Sequence, residues 1–217
     1  MHNTISTTTQ SQPDTGPMLT PEEFGVGARI TLSVMSDDYA EIILGALTST
    51  DRTGLSLTTD AVSTWVTGDE PSIARFVTEL LAAAGRSGKH VSAHVLFSRG
   101  CPGEVVCALP AGRLPGPDAL PELPVTGVEA LAQWSLYPLD DAGSPGRTPD
   151  HMRDIYAAID LAKATGTFDG SEHYVTRLSG DVAQIVQTVV AGWLLVGRSV
   201  QHVTTHTVFS INSPSAR

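Results

Sequence analysis

The side chains in this sequence with the best placement for chemistry are short hydroxyls and imidazoles, and they recur at a fixed interval. Thr64, Gly68-Asp69, His90 and His94 return as Thr176, Gly180-Asp181, His202 and His206, each 112 positions later. The echo is longest around the histidines, where Lys89-His90-Val91-Ser92-Ala93-His94-Val95-Leu96-Phe97-Ser98 is answered by Gln201-His202-Val203-Thr204-Thr205-His206-Thr207-Val208-Phe209-Ser210. A register held that long marks two copies of one unit. The hydroxyls of interest are Thr31, Ser63 and Thr64 in the first copy and Ser135 and Thr176 in the second, where Tyr137 adds a ring. Small donors and acceptors beside an aromatic suit a neutral, flat, hydrogen-bonding ligand. The competing reading is that Ser and Thr simply fit a tight contact between sheets.

Other chemistries are harder to sustain. His90/His94 and His202/His206 have the i, i+4 spacing that chelates on a helix. On a strand, at about 3.3 Å per residue, the two rings of a pair lie roughly 13 Å apart and no single metal joins them. No metal ligands are expected; hydrogen bonding or a contact between the two units is. Glu172-His173-Tyr174 is the densest acid-base cluster, but no Gly-rich phosphate loop, G-x-S-x-G or C-x-x-C accompanies it, so catalysis is not expected. Cys101 lies in Gly100-Cys101-Pro102-Gly103, which aligns with Asn212-Ser213-Pro214-Ser215 and reads as the turn that ends a last strand. Cys101 and Cys107 are too few for a disulfide framework and read as free thiols in a reducing compartment.

The elements that must hold these residues follow from periodicity. Ile30, Leu32 and Val34 alternate with Arg29, Thr31 and Ser33, the signature of a strand covered on one face. A helix follows, with Asp38 as its cap, Glu41 completing a capping-box pattern, and Tyr39, Ile42, Ile43, Ala46 and Leu47 as its buried stripe. Leu55–Thr59 and Ala61–Thr67 read as a hairpin. Pro71 opens a second helix with Ile73, Phe76, Val77, Leu80, Leu81 and Ala84 inward, and His90–Ser98 closes the unit. The second copy repeats the order: strand Leu131–Tyr137, helix from Thr148-Pro149-Asp150 through Ile155 and Ile159, inner strand His173–Ser179, an Asp181-capped helix and strand His202–Ser210. The first strands are offset by only 104, which places an eight-residue insertion at Asp140–Arg147.

This order is β-α-β-β-α-β twice. The expected fold is therefore α+β, a tandem repeat of two ferredoxin-like (βαββαβ, ACT-like) domains whose antiparallel sheets carry helices on one face. The expected organisation is a disordered tail over 1–24, one repeat over 25–105, a Pro/Gly-rich linker over 106–127 and the other repeat over 128–217. The helix-free faces carry Arg29, Thr31 and Ser33 in one copy and Gln133, Ser135 and Tyr137 in the other. The first and third strands of such a unit are neighbours, which brings Thr31 near Ser63 and Thr64, and Ser135 near Thr176. Alternation leaves the face of Thr64 open, because Val62-Thr64-Val66 and Ser63-Trp65-Thr67 both make plausible inner sets.

Over 217 residues, 13 Lys and Arg against 23 Asp and Glu give a formal net charge of −10, which disfavours nucleic acid and anionic membranes. No apolar run is long enough to span a bilayer, and no secretory signal opens the chain. The expectation is a soluble cytoplasmic protein.

Met35-Ser36-Asp37-Asp38-Tyr39, Thr59-Asp60 with Ser63-Thr64 and Gly68, Phe97-Ser98 before Gly100-Cys101-Pro102-Gly103, Ser135-Leu136-Tyr137-Pro138, Asp160-Leu161-Ala162-Lys163-Ala164, Gly166-Thr167-Phe168, His173-Tyr174 and Ser210–Ser215 follow one another in a distinctive order. In these pieces the chain resembles the YkoF-like family of thiamin- and hydroxymethylpyrimidine-binding proteins, from about Gly25 to Ser215. The resemblance implies a homodimer formed through the sheets, with thiamin or its pyrimidine half bound in each domain. It implies an accessory role in uptake or salvage, not an enzyme, with transporter components as partners and no cofactor beyond the ligand. Carried over by position, the ligand hydroxyls are Thr31 and Thr64, with Ser135 and Thr176 as counterparts; Ser63, Tyr137 and His173 join them, Tyr137 as a stacking ring. The first copy departs from the pattern, with Ser33-Val34 in place of Tyr-Pro and Ala61 in place of His, so the two sites are expected to differ. The alternative is a ligand-independent regulatory module that dimerises or docks on a transporter or enzyme.

Overall fold

The computed structural model of the chain describes residues 17–101, 122–139 and 150–215. The insertion and most of the linker lie outside these residues, as do residues 1–16 of the tail and Cys107. The described elements run α1 (Pro21–Phe24), β1 (Gly27–Val34), α2 (Tyr39–Ser49), β2 (Ser56–Thr59), β3 (Thr64–Thr67), α3 (Glu70–Gly85) and β4 (Val91–Arg99). The second copy supplies β5 (Glu129–Pro138), α4 (His151–Ala164), β6 (Phe168–Glu172), β7 (Val175–Asp181), α5 (Val182–Gly197) and β8 (Val203–Ile211).

The two copies share one sheet. All eight strands are antiparallel, in the order β2-β3-β1-β4-β8-β5-β7-β6, so each copy contributes a four-strand arc in the same internal order. The separate sheets expected from the repeat are fused: β4 and β8 pair over their whole length, Val91 opposite Ile211 and Arg99 opposite Val203. Alone, each of these strands would be a long edge with unpaired amides and carbonyls, and pairing them removes both edges. Val95 faces Thr207, its own repeat counterpart 112 positions on, so a pseudo-twofold axis crosses the sheet between them.

The periodicities hold with local shifts. Along β4 and β8 the odd-numbered residues are buried beneath the helices and the even-numbered ones face out. Helix α3 starts as the pattern requires, the Asp69 side chain accepting from the Ser72 amide, and the Asp181 side chain caps α5 in the same way on Ala183. Asp38 makes no such bond at α2; instead the Ser36 hydroxyl accepts from the Asp38 amide. A reciprocal capping box occurs where disorder was expected, at Thr20 and Glu23 ahead of α1, and Phe24 is buried in the core. His173 and Tyr174 form the turn between β6 and β7 and are not part of the inner strand; Tyr174 adopts φ 69°.

Arg99 and Glu70 are 3% and 4% exposed at their side chains, with Nη2 and Oε1 3.8 Å apart. Burial raises the Glu70 pKa, with the Arg99 charge opposing, and lowers that of Arg99. Gly197 leaves room for this pair, since a Cβ there would lie 2.6 Å from Arg99 Nη1 and would displace the guanidinium. One repeat on, Glu70 and Arg99 become Val182 and Ile211, and the ion pair is replaced by hydrocarbon.

Candidate functional site

Helix α2 sits high on the sheet. Of its apolar stripe only Ala46 is buried, whereas α3 buries most of its length. The space beneath α2 is a cavity of about 410 Å³, floored by Ile30, Leu32, Val34 and Leu80, roofed by Tyr39, Ile43 and Leu47, and closed at one end by the hairpin residues Thr59–Thr64. Its size falls in the ordinary range for small-ligand sites.

The polar groups of this cleft come from the hairpin. Thr64 pairs with Ile30 across β3 and β1 and so lies on the helix side of the sheet. Its hydroxyl is 3.0 Å from that of Thr59 on edge strand β2, leaving both oxygens with spare hydrogen-bonding capacity. Asp60 folds the turn by accepting from the Val62 and Ser63 amides, and those bonds hold its carboxyl below the usual range, with Arg29 adding to the effect. It is therefore an anion at the cleft rim at neutral pH. Arg29 reaches from the opposite face of the sheet to clamp the turn: its Nη1 donates to Asp60 Oδ2 at 3.1 Å and to Ser63 Oγ at 2.8 Å.

The hydroxyls expected to converge are divided between two faces. Thr31 lies directly opposite His94 on the helix-free face, with the sheet between it and Thr64. Ser135 likewise lies opposite His206, while Thr176 is buried opposite Trp134 on the helix side. The proximity predicted for Thr31 with Thr64, and for Ser135 with Thr176, does not occur, because the paired residues occupy opposite pleats of neighbouring strands. Ser135 plays the part in the second copy that Arg29 plays in the first: its hydroxyl donates to the Tyr174 carbonyl at 3.1 Å and holds the β6–β7 turn. Tyr137 is half exposed on the helix-free face, away from Thr176. His173 projects into solvent, its Nδ1 3.2 Å from Glu172 Oε1 and its ring beside that of Tyr174.

In the second copy Thr176 faces Ser171 across β7 and β6, matching the Thr64–Thr59 pair. The ring on this side is Trp134, which takes the place of Ile30; its indole passes over Gly192, the counterpart of Leu80, where a Cβ would lie 2.7 Å away. Trp134 Nε1 donates to Thr205 Oγ1 at 2.6 Å, and Thr205 Oγ1 donates on to the Ser135 carbonyl. The sequence reading gave no ligand role to Thr59, Asp60, Arg29, Tyr39 or Trp134. The signal for Thr59 was present, because a two-strand hairpin closing at Asp60–Ser63 places Thr59 opposite Thr64.

On the helix-free face, His94 and His206 stack across the β4–β8 seam with ring centres 5.5 Å apart. Burial, and then the neighbouring His94, lower the pKa of His206. His90 instead approaches Ser210 Oγ at 3.2 Å. Among the described residues, no three or more His, Cys, Asp or Glu side chains converge as a metal cluster, and no helix is long and apolar enough to cross a membrane.

This architecture of twin, helix-backed arcs belongs to a recognised group. Residues 25–104 and 129–216 each match the profile of the YKOF-related family, and the chain belongs to that family. A relative in Bacillus subtilis (strain 168), named "Putative HMP/thiamine-binding protein YkoF", is 32% identical over 193 residues, covering 88% of this chain and 92% of the relative.

Proposed function

We propose that the chain binds thiamin or its hydroxymethylpyrimidine moiety in the cleft beneath α2 and in the corresponding region beneath α4. The observation that carries this reading is the cleft itself, an apolar slot closed by paired hydroxyls with a carboxylate at its rim, in a chain whose relative is named for HMP and thiamine. The Thr59 and Thr64 hydroxyls supply the donor and acceptor that an aminopyrimidine edge needs, and Asp60 supplies a negative charge for the thiazolium. Ligand contacts come from the Thr64 and Thr176 side of the sheet. Thr31, Ser135 and Tyr137 belong to the other face, and Ser63 and Ser135 act by holding turns. The copies differ at the ligand: Ile30, Leu80 and Ala61 in one are Trp134, Gly192 and His173 in the other.

In this proposal each arc is a ferredoxin-like unit, and the protein is a cytoplasmic binder, not an enzyme, that serves uptake or salvage and passes its ligand to transporter or pathway components. A second copy stacks on the helix-free face, where Leu96, Leu131 and Tyr137 are 37%, 43% and 48% exposed. Calorimetric titration of the full chain with thiamin and with hydroxymethylpyrimidine tests the ligand. Heat that Thr64→Val and Thr176→Val each reduce supports the reading; no heat and no thermal shift at millimolar ligand refutes it and leaves the docking module as the better account.

A further inference from the structure

On the helix-free face the two arcs differ at one equivalent place. Gly27 and Leu131 correspond, Gly27 lying opposite Ser98 and Leu131 opposite Ser210. In the first arc the missing side chain leaves a hollow of about 460 Å³ between the Trp65 indole and Leu96, with Ser98 and Cys101 also in its wall. In the second arc Leu131 is a knob: it is 43% exposed, and its neighbours across the ladders, Ser179 and Ser210, are too short to flank it. The pseudo-twofold axis through the β4–β8 seam sets hollow and knob on opposite sides of the sheet's centre.

We propose that a second copy of the chain stacks on this face with its arcs exchanged, first over second, so that Leu131 of each copy fills the Gly27 hollow of the other. The inference rests on the stacking proposed above and adds its register and its anchor. Charge, area and shape all favour a copy of this chain as the occupant. Along the four central strands β1, β4, β8 and β5, the helix-free positions carry only two formal charges, Arg29, which Asp60 and Ser63 engage, and Glu129 at the start of β5. Such depletion is what the buried centre of an interface requires, because a charge there loses its hydration. Eight strands spaced about 4.8 Å apart present roughly 800 Å² in projection, the area each partner gives to a standard interface. The shape is self-complementary. A twofold axis lying between the stacked sheets, perpendicular to the line from hollow to knob, seats both knobs at once, as an isologous contact demands. Stacking like arc on like arc would instead set Leu131 against Leu131 and leave both hollows empty. An apolar side chain held beside a tryptophan ring, away from water, is the kind of contact that carries much of an interface's energy.

Sedimentation equilibrium of the full chain tests the anchor, and cross-linking with a short bismaleimide tests the register. Wild type is expected to dimerise. Leu131→Asp is expected to raise the dimer dissociation constant at least about a hundredfold, because each dimer loses two anchors, with an unchanged unfolding midpoint since Leu131 is exposed within the single chain. Leu44→Asp, on the outer side of α2, leaves the dimer unchanged. For the register, Leu131→Cys is made in a Cys107→Ser background, with that background alone as the blank. A cross-linked dimer that disappears with Cys101→Ser places the Leu131 position at the hollow. One that persists without Cys101 joins the Leu131 position to itself and overturns the exchange of arcs, as does the absence of any cross-linked dimer. A dimer indifferent to Leu131→Asp overturns the anchor while leaving the stacking in place, whereas a wild-type chain that stays monomeric at high concentration overturns the stacking itself.

Discussion

The buried Glu70–Arg99 pair offers a perturbation whose control is built into the chain. Both side chains are almost fully removed from water, their charged atoms are 3.8 Å apart, and Glu70 Oε1 has no hydrogen bond. At that separation attraction only partly offsets the loss of hydration, and removing the guanidinium leaves the buried Glu70 carboxylate without its counter-ion at a cost of about 3–5 kcal/mol. Arg99→Ile alone should therefore lower the midpoint of thermal unfolding by roughly 6–20 °C for a chain of this size. Glu70→Val alone should cost less, because Arg99 also lies over the Phe24 ring at 5.3 Å. The double variant reproduces Val182 and Ile211, residues that fill the equivalent space without charge, and should be neutral or more stable than wild type by about 1–4 kcal/mol. The pH dependence has a definite sign. Burial raises the folded-state pKa of Glu70 above its unfolded value, so the contribution of this group is fully present below the unfolded value and is lost as pH rises through the folded one. The advantage of the double variant over wild type should grow on going from acid to neutral pH. Urea or thermal unfolding of the four proteins at two pH values measures all of this. Additive single-variant losses, giving a double variant worse than either, would refute the argument that desolvation outweighs the attraction.

Three further outcomes follow from the geometry. Thr205→Val strands the buried Trp134 indole N–H and should destabilise the protein by about 1–3 kcal/mol by urea unfolding, with no equivalent loss for Thr204→Val on the other face. At Asp181, desolvation is outweighed by hydrogen bonds from the Thr126, Ala183 and Gly127 amides, and its pKa is lowered. Its contribution is thus present above the unfolded carboxyl value and lost as pH falls through the folded one, so Asp181→Asn should flatten the acid limb of a stability–pH curve. Arg29→Ala releases the turn at Asp60–Ser63 and should weaken ligand binding in the first cleft several-fold while sparing the second. Ser135→Ala should do the reverse, and two-site calorimetric fits distinguish them.

Much of this protein is written in local pattern. The 112-residue repeat, the alternation along β1, β4, β5 and β8, and the Asp69 and Asp181 caps specify the order and kind of elements, because side-chain period and capping are short-range properties of the chain. The repeat likewise implies that any site occurs twice in altered form. Three things depended on long-range pairing. Thr64 could not be assigned a face because β3 is four residues long and buried on both sides, Thr67 being covered as it donates to the Val26 carbonyl; only its register with Ile30 places it. The cleft arises because α2 rides above the sheet, a consequence of what α3 and the sheet leave unfilled. The fusion of the arcs into one sheet, and with it the His94–His206 pair, follows from joining two edge strands whose sequences say only that each is a strand. Backbone pairing between distant segments sets which side chains meet, and alternation within one segment carries no information about its partner.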